Sequence, residues 1–363
     1  MRKVLTFRDP DWLLFGLALA ISVIGIVEIY STTVHTPLAI QYKKQIYWIL
    51  IGALLALVVS RLDYHMILEQ TPWLYTASIV ALAGLLIFGR SVAGTKRWFH
   101  IGGILTFQVS EMVKLVIILM VAAYFTERRA KYTSWGDLLK LGILCGLPAV
   151  LVALEPDLGT ALTYFPIAAA GVFVAGIRAR QVLLLMLLGV LALPVGWHFL
   201  RPYQRERVMT FVHPSQDTQG SSYQVTQTKI AIGSGGFWGK GLGNGTQSRL
   251  GFIPVSHADA IFAPFAEEQG FVGTLFALLL YIALLLRLLD GAQMAGDRAG
   301  VFLLVGLAAV LFFQIAVNTG MLIGLLPITG IPLPLMSQGG SSVLFTFVGL
   351  GMAMSVRMRR FVN

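Results

Sequence analysis

Long runs of apolar residues recur along the whole chain and are separated by shorter polar segments. A helix needs about 20 predominantly apolar residues to cross the hydrocarbon core of a bilayer. Ten runs approach or reach that length, so the pattern predicts ten transmembrane helices. The predicted spans are 12–30, 45–59, 73–88, 105–125, 138–154, 160–176, 182–200, 260–287, 300–323 and 340–356.

The composition agrees with this pattern. Of the 363 residues, 56% are hydrophobic and only 12% are charged, whereas soluble domains carry about 25% charged residues. So little charge excludes the soluble, disordered, collagen-like and disulfide-rich secreted classes. The single cysteine, Cys145, lies in an apolar run and is expected to be a buried apolar side chain. We predict an all-α polytopic membrane protein that forms a single membrane domain over residues 1–363.

The distribution of Lys and Arg predicts the orientation of the chain. The net charge is +10, but basic residues occur in ones to threes between apolar runs, which favours a topological role over nucleic-acid binding. An even number of spans places both termini on one side. Segments on that side hold fourteen Lys and Arg, against five in the short loops of the opposite side. We therefore expect both termini in the cytoplasm.

Two outer segments are unusual. Residues 201–259, between the seventh and eighth spans, form a polar stretch with nine glycines and six Lys and Arg. Loops longer than about 15 residues usually have a function or are disordered. Residues 326–342, between the ninth and tenth spans, combine three prolines and three glycines with apolar residues. Irregular backbone cannot face lipid, so we expect either a re-entrant turn buried in protein or a long polar-capped hairpin.

Ionisable residues at membrane depth are candidates for function. Glu111 and Lys114 lie three residues apart in the fourth span and share one helix face. One interpretation is a self-neutralising pair that lets the helix insert. The other is that Lys114 binds an anionic ligand and Glu111 orients it.

Two acids lie at the outer ends of spans. Asp157 follows Pro156 where the sixth span begins, and it suits either a helix N-cap or a residue that orients a sugar or holds a divalent cation. Asp259 lies where the long outer segment re-enters the membrane. Ser256 and Asp259 fit a capping box, but an ionised carboxylate there can also accept a proton. Asp259 is the best-placed general base in the chain.

The glycine-rich block 233–245 resembles a phosphate-binding loop but fails its template, because Lys240 is followed by Gly241 rather than Ser or Thr. An anion-binding nest beside Lys240 and a merely flexible loop both remain open. The cations and the outer carboxylate together suggest a lipid diphosphate as ligand. Its head group would meet Arg97, Lys114, Arg205, Arg207 and Lys240.

Five sequence blocks occur in a characteristic order: 94–98 with 107–114, 156–160, 231–241, 257–262 and 327–337. By these blocks the chain resembles the SEDS family, and most of all its elongation member. Family members often have Pro at the position of Val109 and Tyr at that of Gln338, and these differences leave the charged set intact.

The resemblance implies a peptidoglycan glycosyltransferase of the bacterial cytoplasmic membrane that polymerises lipid II during elongation and shape maintenance. Its expected partners are lipid II, undecaprenyl-linked glycan, a class B penicillin-binding protein and membrane lipid, with no nucleic acid. By that similarity Asp259 matches the essential outer aspartate, Glu111 and Lys114 the pair of the fourth span, and Asp157 a second outer acid.

The expected reaction is an inverting transfer in which Asp259 deprotonates the acceptor hydroxyl. Arg97, Lys114, Arg205 and Arg207 are then the expected contacts of the diphosphate. No tightly bound cofactor is expected, and a divalent cation such as Mg²⁺ or Mn²⁺ near Asp157 remains an alternative. A lipid II flippase and a scaffold for cell-wall enzymes are the competing interpretations.

Overall fold

The computed structural model describes residues 10–34, 36–89, 99–101, 105–128, 132–212, 221–253 and 256–360. In this part of the chain, ten helical segments are long and apolar enough to cross a membrane, which confirms the predicted number. In chain order the elements are α1 (Trp12–Thr33), α2 (Gln41–Arg61), α3 (Tyr64–Glu69), α4 (Thr71–Phe88), β1 (Phe99–Ile101), β2 (Leu105–Phe107), α5 (Val109–Thr126), α6 (Trp135–Leu154), α7 (Leu158–Leu162), α8 (Tyr164–Ala175), α9 (Ala179–Phe199), α10 (Pro202–Val212), α11 (Ser221–Ser234), α12 (Thr246–Arg249), α13 (Phe262–Gln293), α14 (Arg298–Leu322) and α15 (Gly340–Met358).

The sixth span is divided, because α7 and α8 follow one another at Thr163. Six elements are too short or too polar to be spans: α3, α10, α11, α12, and the strands β1 and β2, which form an antiparallel hairpin. The all-α prediction is thus confirmed for the membrane region, with one small hairpin added next to α5.

Three helices form the centre of the bundle. In α5, α14 and α15 most side chains are buried, including Ile118, Leu311 and Phe345. By contrast, most side chains of α9 are exposed in the isolated chain, and only a few side chains of α4 are buried. Because these exposed residues are apolar, they are suited to contact lipid.

A charged cluster brings the N-terminal and C-terminal parts of the chain together. The Asp11 carboxylate, just before α1, lies 3.0 Å from Nε of Arg287 in α13 and 2.8 Å from Nη1 of Arg357 in α15. The start of α1 and the ends of α13 and α15 therefore lie at one face of the bundle, here called the terminal face. The opposite face, where α13 begins at Phe262, is here called the distal face.

The chain between α14 and α15 is irregular, and part of it lies inside the bundle. Leu333, Leu335 and Met336 are each at most 1% exposed. Tyr281 donates a hydrogen bond to the carbonyl of Pro334, and Gln45 donates from Nε2 to the carbonyl of Ser337. These contacts supply the backbone partners that lipid cannot provide.

The glycine-rich block packs against a break in α13. At Gly270 the backbone leaves helical geometry, with φ of 63°. The amides of Lys240 and Gly241 donate to the carbonyls of Glu267 and Glu268, while the carbonyl of Gly236 accepts from Phe271. A Cβ at Gly235 would lie 2.1 Å from the carbonyl oxygen of Ala266. The glycines therefore allow two backbones to meet at a distance that no side chain permits.

Candidate functional site

A cavity of about 790 Å³ opens at the distal face. Its walls are the turn and helix from Pro156 to Leu162, the helix α10, and the outer turn 327–330, and Asp259 contributes to the same lining. Tyr203 of α10 donates from its hydroxyl to the carbonyl of Pro156. A Cβ at Gly159 would lie 2.5 Å from the carbonyl oxygen of Thr329. The three walls therefore contact one another directly.

The segment that carries Asp259 is held by three successive backbone carbonyls. That of His257 accepts from the amide of Gln338, and that of Ala258 accepts from Oγ of Ser337 at 2.7 Å. The third, of Asp259 itself, accepts from Nδ2 of Asn318 at 2.8 Å. Because the backbone is fixed in this way, the carboxylate is presented to the cavity from a rigid support.

The first turn of α13 shows which residue occupies its N-cap position. Helix α13 begins at Phe262, and its N-cap residue Ile261 makes no side-chain hydrogen bond to the helix. Neither Ser256 nor Asp259 therefore occupies the N-cap position of α13. Next to Asp259, burial lowers the pKa of His257 below its ordinary value, so this imidazole is neutral at neutral pH.

Arg207 faces the same point of the outer turn as Asp259. A Cβ at Gly330 would lie 3.2 Å from Oδ2 of Asp259 and 3.9 Å from Nη1 of Arg207. The guanidinium also donates to the carbonyl of Ile328 at 3.4 Å, and it lies over the ring of Tyr203. A proton acceptor and a cation therefore adjoin one another in one cavity.

Asp157 lines this cavity and also acts as a helix cap. Its Oδ1 accepts from the amide of Thr160, at the start of α7, and its Oδ2 accepts from Nε2 of Gln108 at 2.6 Å. The backbone amide of Gln108 in turn donates to Oγ of Ser341 in α15. Asp157 thus links the cavity wall to the first turn of α5.

Glu111 and Lys114 lie within the bundle and do not line the cavity. Nζ of Lys114 is 2.7 Å from Oε2 of Glu111, and both side chains are almost fully buried. The ammonium also lies 4.4 Å from the ring centre of Phe345. The pair neutralises itself inside the bundle, and its connection to the cavity runs through α5 and Gln108.

The other predicted cations lie elsewhere. Arg205 points away from the cavity and donates to the carbonyls of Trp197 and His198 at the end of α9. Lys240 forms an ion pair with the buried Glu267 at 2.6 Å. Arg97 lies outside the described residues. The structure thus brings Asp157, Asp259 and Arg207 together, and it separates Lys114, Arg205 and Lys240 from them.

The side chains present do not fit a metal held by the protein. In the described part of the chain, no three His, Cys, Asp or Glu side chains are placed to hold a metal ion. Both oxygens of Asp157 already accept hydrogen bonds from protein donors. The divalent cation stays a prediction, and no step of the mechanism below uses it.

Two residues at the site were not predicted. Arg201 lines the cavity and donates to the carbonyl of Leu154. Asn318, fully buried in α14, contacts the backbone of Asp259 and of Ile331. The signal for Asn318 was present, because an amide inside an apolar run at membrane depth is costly unless it is bonded.

Comparisons with known proteins agree with this architecture. A sequence profile of the FTSW_RODA_SPOVE family, described as cell cycle proteins, matches residues 11–361. The chain is 37% identical over 360 residues to the peptidoglycan glycosyltransferase MrdB of Escherichia coli K12, covering 97% of this chain and 94% of that protein. It is 31% identical over 429 residues to the peptidoglycan glycosyltransferase RodA of Treponema pallidum, covering 97% and 98%.

Solved structures show the same fold. One comes from work on structural coordination of polymerization and crosslinking by a peptidoglycan synthase complex, with a TM-score of 0.84, 33% identity, and coverage of 98% of this chain and 99% of that one. The rod shape determining protein RodA of Thermus thermophilus aligns with a TM-score of 0.74 and 30% identity, with the same coverage.

Proposed function

Because this chain belongs to the FtsW, RodA and SpoVE family, which confirms the resemblance drawn from its motifs, we propose how its residues carry out peptidoglycan glycosyl transfer. The observation that supports the proposal is the placement of Asp259 and Arg207 around Gly330 in one large cavity. A base and a cation are the two groups that glycosyl transfer from a diphosphate requires.

Asp259 acts as the general base. Its carboxylate takes the proton from the 4-hydroxyl of the N-acetylglucosamine of the incoming lipid II. The hydroxyl oxygen forms a bond to the anomeric carbon of the lipid-linked glycan, and the bond from that carbon to the phosphate oxygen breaks. Undecaprenyl diphosphate leaves with the electron pair, and the configuration at the anomeric carbon is inverted.

Arg207 and Arg201 stabilise the departing diphosphate. Both line the cavity with Asp259, and a guanidinium presents several N–H donors to phosphate oxygens. Charge develops on the leaving oxygens in the transition state, so fixed cations lower the barrier more than they strengthen ground-state binding. Asp157 has a different role, since it holds the cavity wall through Thr160 and Gln108.

Glu111 and Lys114 act from beneath the site. Their buried ion pair fixes one face of α5, whose start is linked to Asp157 through Gln108. The two charges balance each other, so the pair contributes a local dipole to the interior below the cavity. We assign the pair to positioning and to the electrostatic field, because neither side chain lines the cavity.

The proposal also covers membrane orientation and partners. The basic residues near the terminal face favour a cytoplasmic location for both termini. We therefore propose that the cavity opens at the outer side of a bacterial inner membrane. The similar complex combines polymerization with crosslinking. We therefore expect a crosslinking partner for this chain, a class B penicillin-binding protein, and lipid II as substrate.

The test is polymerisation of lipid II by the purified full-length protein with and without the partner. Asp259→Asn should abolish glycan formation while leaving the melting temperature and lipid II binding nearly unchanged. Glu206→Gln is the matched control, because Glu206 is an exposed acid of α10 outside the cavity lining, and it should keep full activity. A normal rate in Asp259→Asn would remove the base assignment.

A further inference from the structure

A second, smaller cavity lies next to the first. It has a volume of about 60 Å³ and opens between α10, α11 and the start of the outer turn. Arg207, Pro327 and Ile328 line both cavities. The Arg207 side chain is therefore part of the wall between them.

The lining of the small cavity is cationic. Arg207 and Lys229 contribute to it together with the hydroxyl residues Thr210, Ser222 and Thr226, and among the described residues no Asp or Glu belongs to its lining. Within the described part of the chain, the ammonium of Lys229 makes no hydrogen bond or ion pair. Two cations beside hydroxyl groups, without a compensating acid, favour an anion with several acceptor oxygens.

Lys229 is placed by close contact with the backbone. A Cβ at Gly324 would lie 2.0 Å from Cε and 2.2 Å from Nζ of Lys229, so the lysine side chain lies across this glycine. Gly324 has φ of 79°, a conformation that glycine adopts readily. Helix α11 is attached here as well, because Thr228 donates from Oγ1 to the carbonyl of Leu322.

The size of the cavity limits the ligand. One water molecule needs roughly 10–15 Å³ of such space, so about 60 Å³ suits a group of about five heavy atoms. A phosphate group has that size, whereas a sugar ring is too large. The sugar of a substrate then has to lie in the neighbouring cavity of about 790 Å³.

We infer that Arg207 and Lys229 form a second phosphate subsite, which holds one phosphate of the acceptor lipid's diphosphate while the donor diphosphate occupies the large cavity. The inference rests on the proposed function. Transfer between two lipid-linked substrates brings two diphosphates close to one reaction centre, and their mutual repulsion must be offset. Arg207 contacts both phosphate positions, and Lys229 contacts only that of the acceptor.

The test measures binding separately from turnover. Lipid II binding is titrated on the full-length Asp259→Asn protein, with and without Lys229→Met. Loss of the ammonium should weaken binding roughly tenfold, and Lys229→Arg should restore it. Lys43→Met is the matched control, because Lys43 is exposed near the distal end of α2 and outside both cavities.

A second set of titrations identifies the source of the phosphate. Inorganic diphosphate and phosphatidylglycerol in mixed micelles are titrated against the same proteins. If Lys229→Met weakens the binding of lipid II, the result supports the subsite, whether or not the variant also weakens the binding of inorganic diphosphate. Dependence seen only with phosphatidylglycerol overturns the assignment to the acceptor, as does equal lipid II affinity in Lys229→Met and its parent.

Turnover then separates this inference from the proposed function. In a protein that retains Asp259, Lys229→Met should raise KM for lipid II several-fold and leave kcat nearly unchanged. A fall in kcat at unchanged KM contradicts the subsite. If Asp259→Asn polymerises normally, the base assignment fails, while the binding titrations still report on Lys229.

Discussion

Asn318 holds Asp259 by its backbone and not by its carboxylate. Nδ2 of Asn318 donates to the carbonyl of Asp259 at 2.8 Å and to the carbonyl of Ile331 at 2.7 Å. One buried amide of α14 thereby connects the segment that carries the base to the outer turn that forms a cavity wall. Asp259 itself lines the cavity beside that wall.

Replacement of Asn318 should therefore impair catalysis. In Asn318→Leu two carbonyls lose their donor, at a cost of about 1–3 kcal/mol for each that stays buried without a partner. We expect kcat to fall at least tenfold with a smaller change in KM, measured by lipid II polymerisation. Asn318→Gln keeps a side-chain amide donor at this position, and it should retain more activity than Asn318→Leu.

Gln314 offers a matched control one turn earlier on α14. Both polar atoms of its buried side-chain amide lack a hydrogen-bond partner in the described part of the chain. Gln314→Met removes no such bond and should keep or raise the melting temperature. If Asn318→Leu behaves like Gln314→Met in both assays, the positioning role of Asn318 is refuted.

Two arginines of α10 should differ sharply in their effect. Arg207→Gln should lower kcat/KM by about tenfold or more, since a charged donor to a phosphate contributes roughly 1.5–3 kcal/mol. Arg205→Gln should retain most activity, because its guanidinium is bound to carbonyls at the end of α9. Equal losses in the two variants would argue against the cavity as the diphosphate site.

The buried pair in α5 can be examined with a double-mutant cycle. Lys114→Met alone leaves the carboxylate of Glu111 buried without its cation, which costs about 3–5 kcal/mol in protein interiors. Glu111→Leu combined with Lys114→Met should regain most of the melting temperature. We expect the double variant to stay inactive in polymerisation, since the ion pair below the cavity is lost. Restored activity would make the pair purely structural.

The terminal face should show a pH-dependent stability. Burial alone lowers the pKa of His65, but its hydrogen bonds to Asp297 and Asp63 outweigh burial and raise the pKa above 6.5. A raised pKa stabilises the fold fully below pH 6.5, and the contribution disappears as the pH rises through the folded-state pKa. The effect is small because the side chain is 45% exposed.

The measurement compares melting temperatures of the wild type and of His65→Gln at about pH 5.5 and about pH 9. The melting temperature of the wild type minus that of His65→Gln should be about 1 °C larger at the lower pH. His198→Gln is the control, because that exposed ring bonds to the carbonyl of Pro194 and not to a carboxylate. A difference for His65→Gln that grows with pH would contradict the assignment.

The spans were predictable because a run of about 20 apolar residues is local information. The long outer segment was harder to interpret. Its helix α10 has mixed polarity, and Arg205 and Arg207 were both predicted to contact the diphosphate. In a helix two residues differ in direction by about 200°, so only Arg207 reaches the cavity. Asp259 was predicted as the base from its position at a span end.

Contacts over long sequence distances account for the rest. Nothing near Lys240 in the sequence indicates that its partner is Glu267, or that the glycines around it pack against the break at Gly270. Likewise, Asn318 and Asp259 are 59 positions apart. Such pairings depend on how helices are arranged in the bundle, which apolar periodicity does not encode.

The break at Gly270 also bears on how the protein responds to its lipid surroundings. A continuous helix of 32 residues is about 48 Å long, well beyond a hydrocarbon core of about 30 Å. Because residues 266–268, just before the break, pack against the glycine-rich block, we expect the membrane-crossing remainder to tilt without carrying them along. The height of the reacting carboxylate is thereby set by protein contacts, which uncouples the chemistry from acyl-chain length.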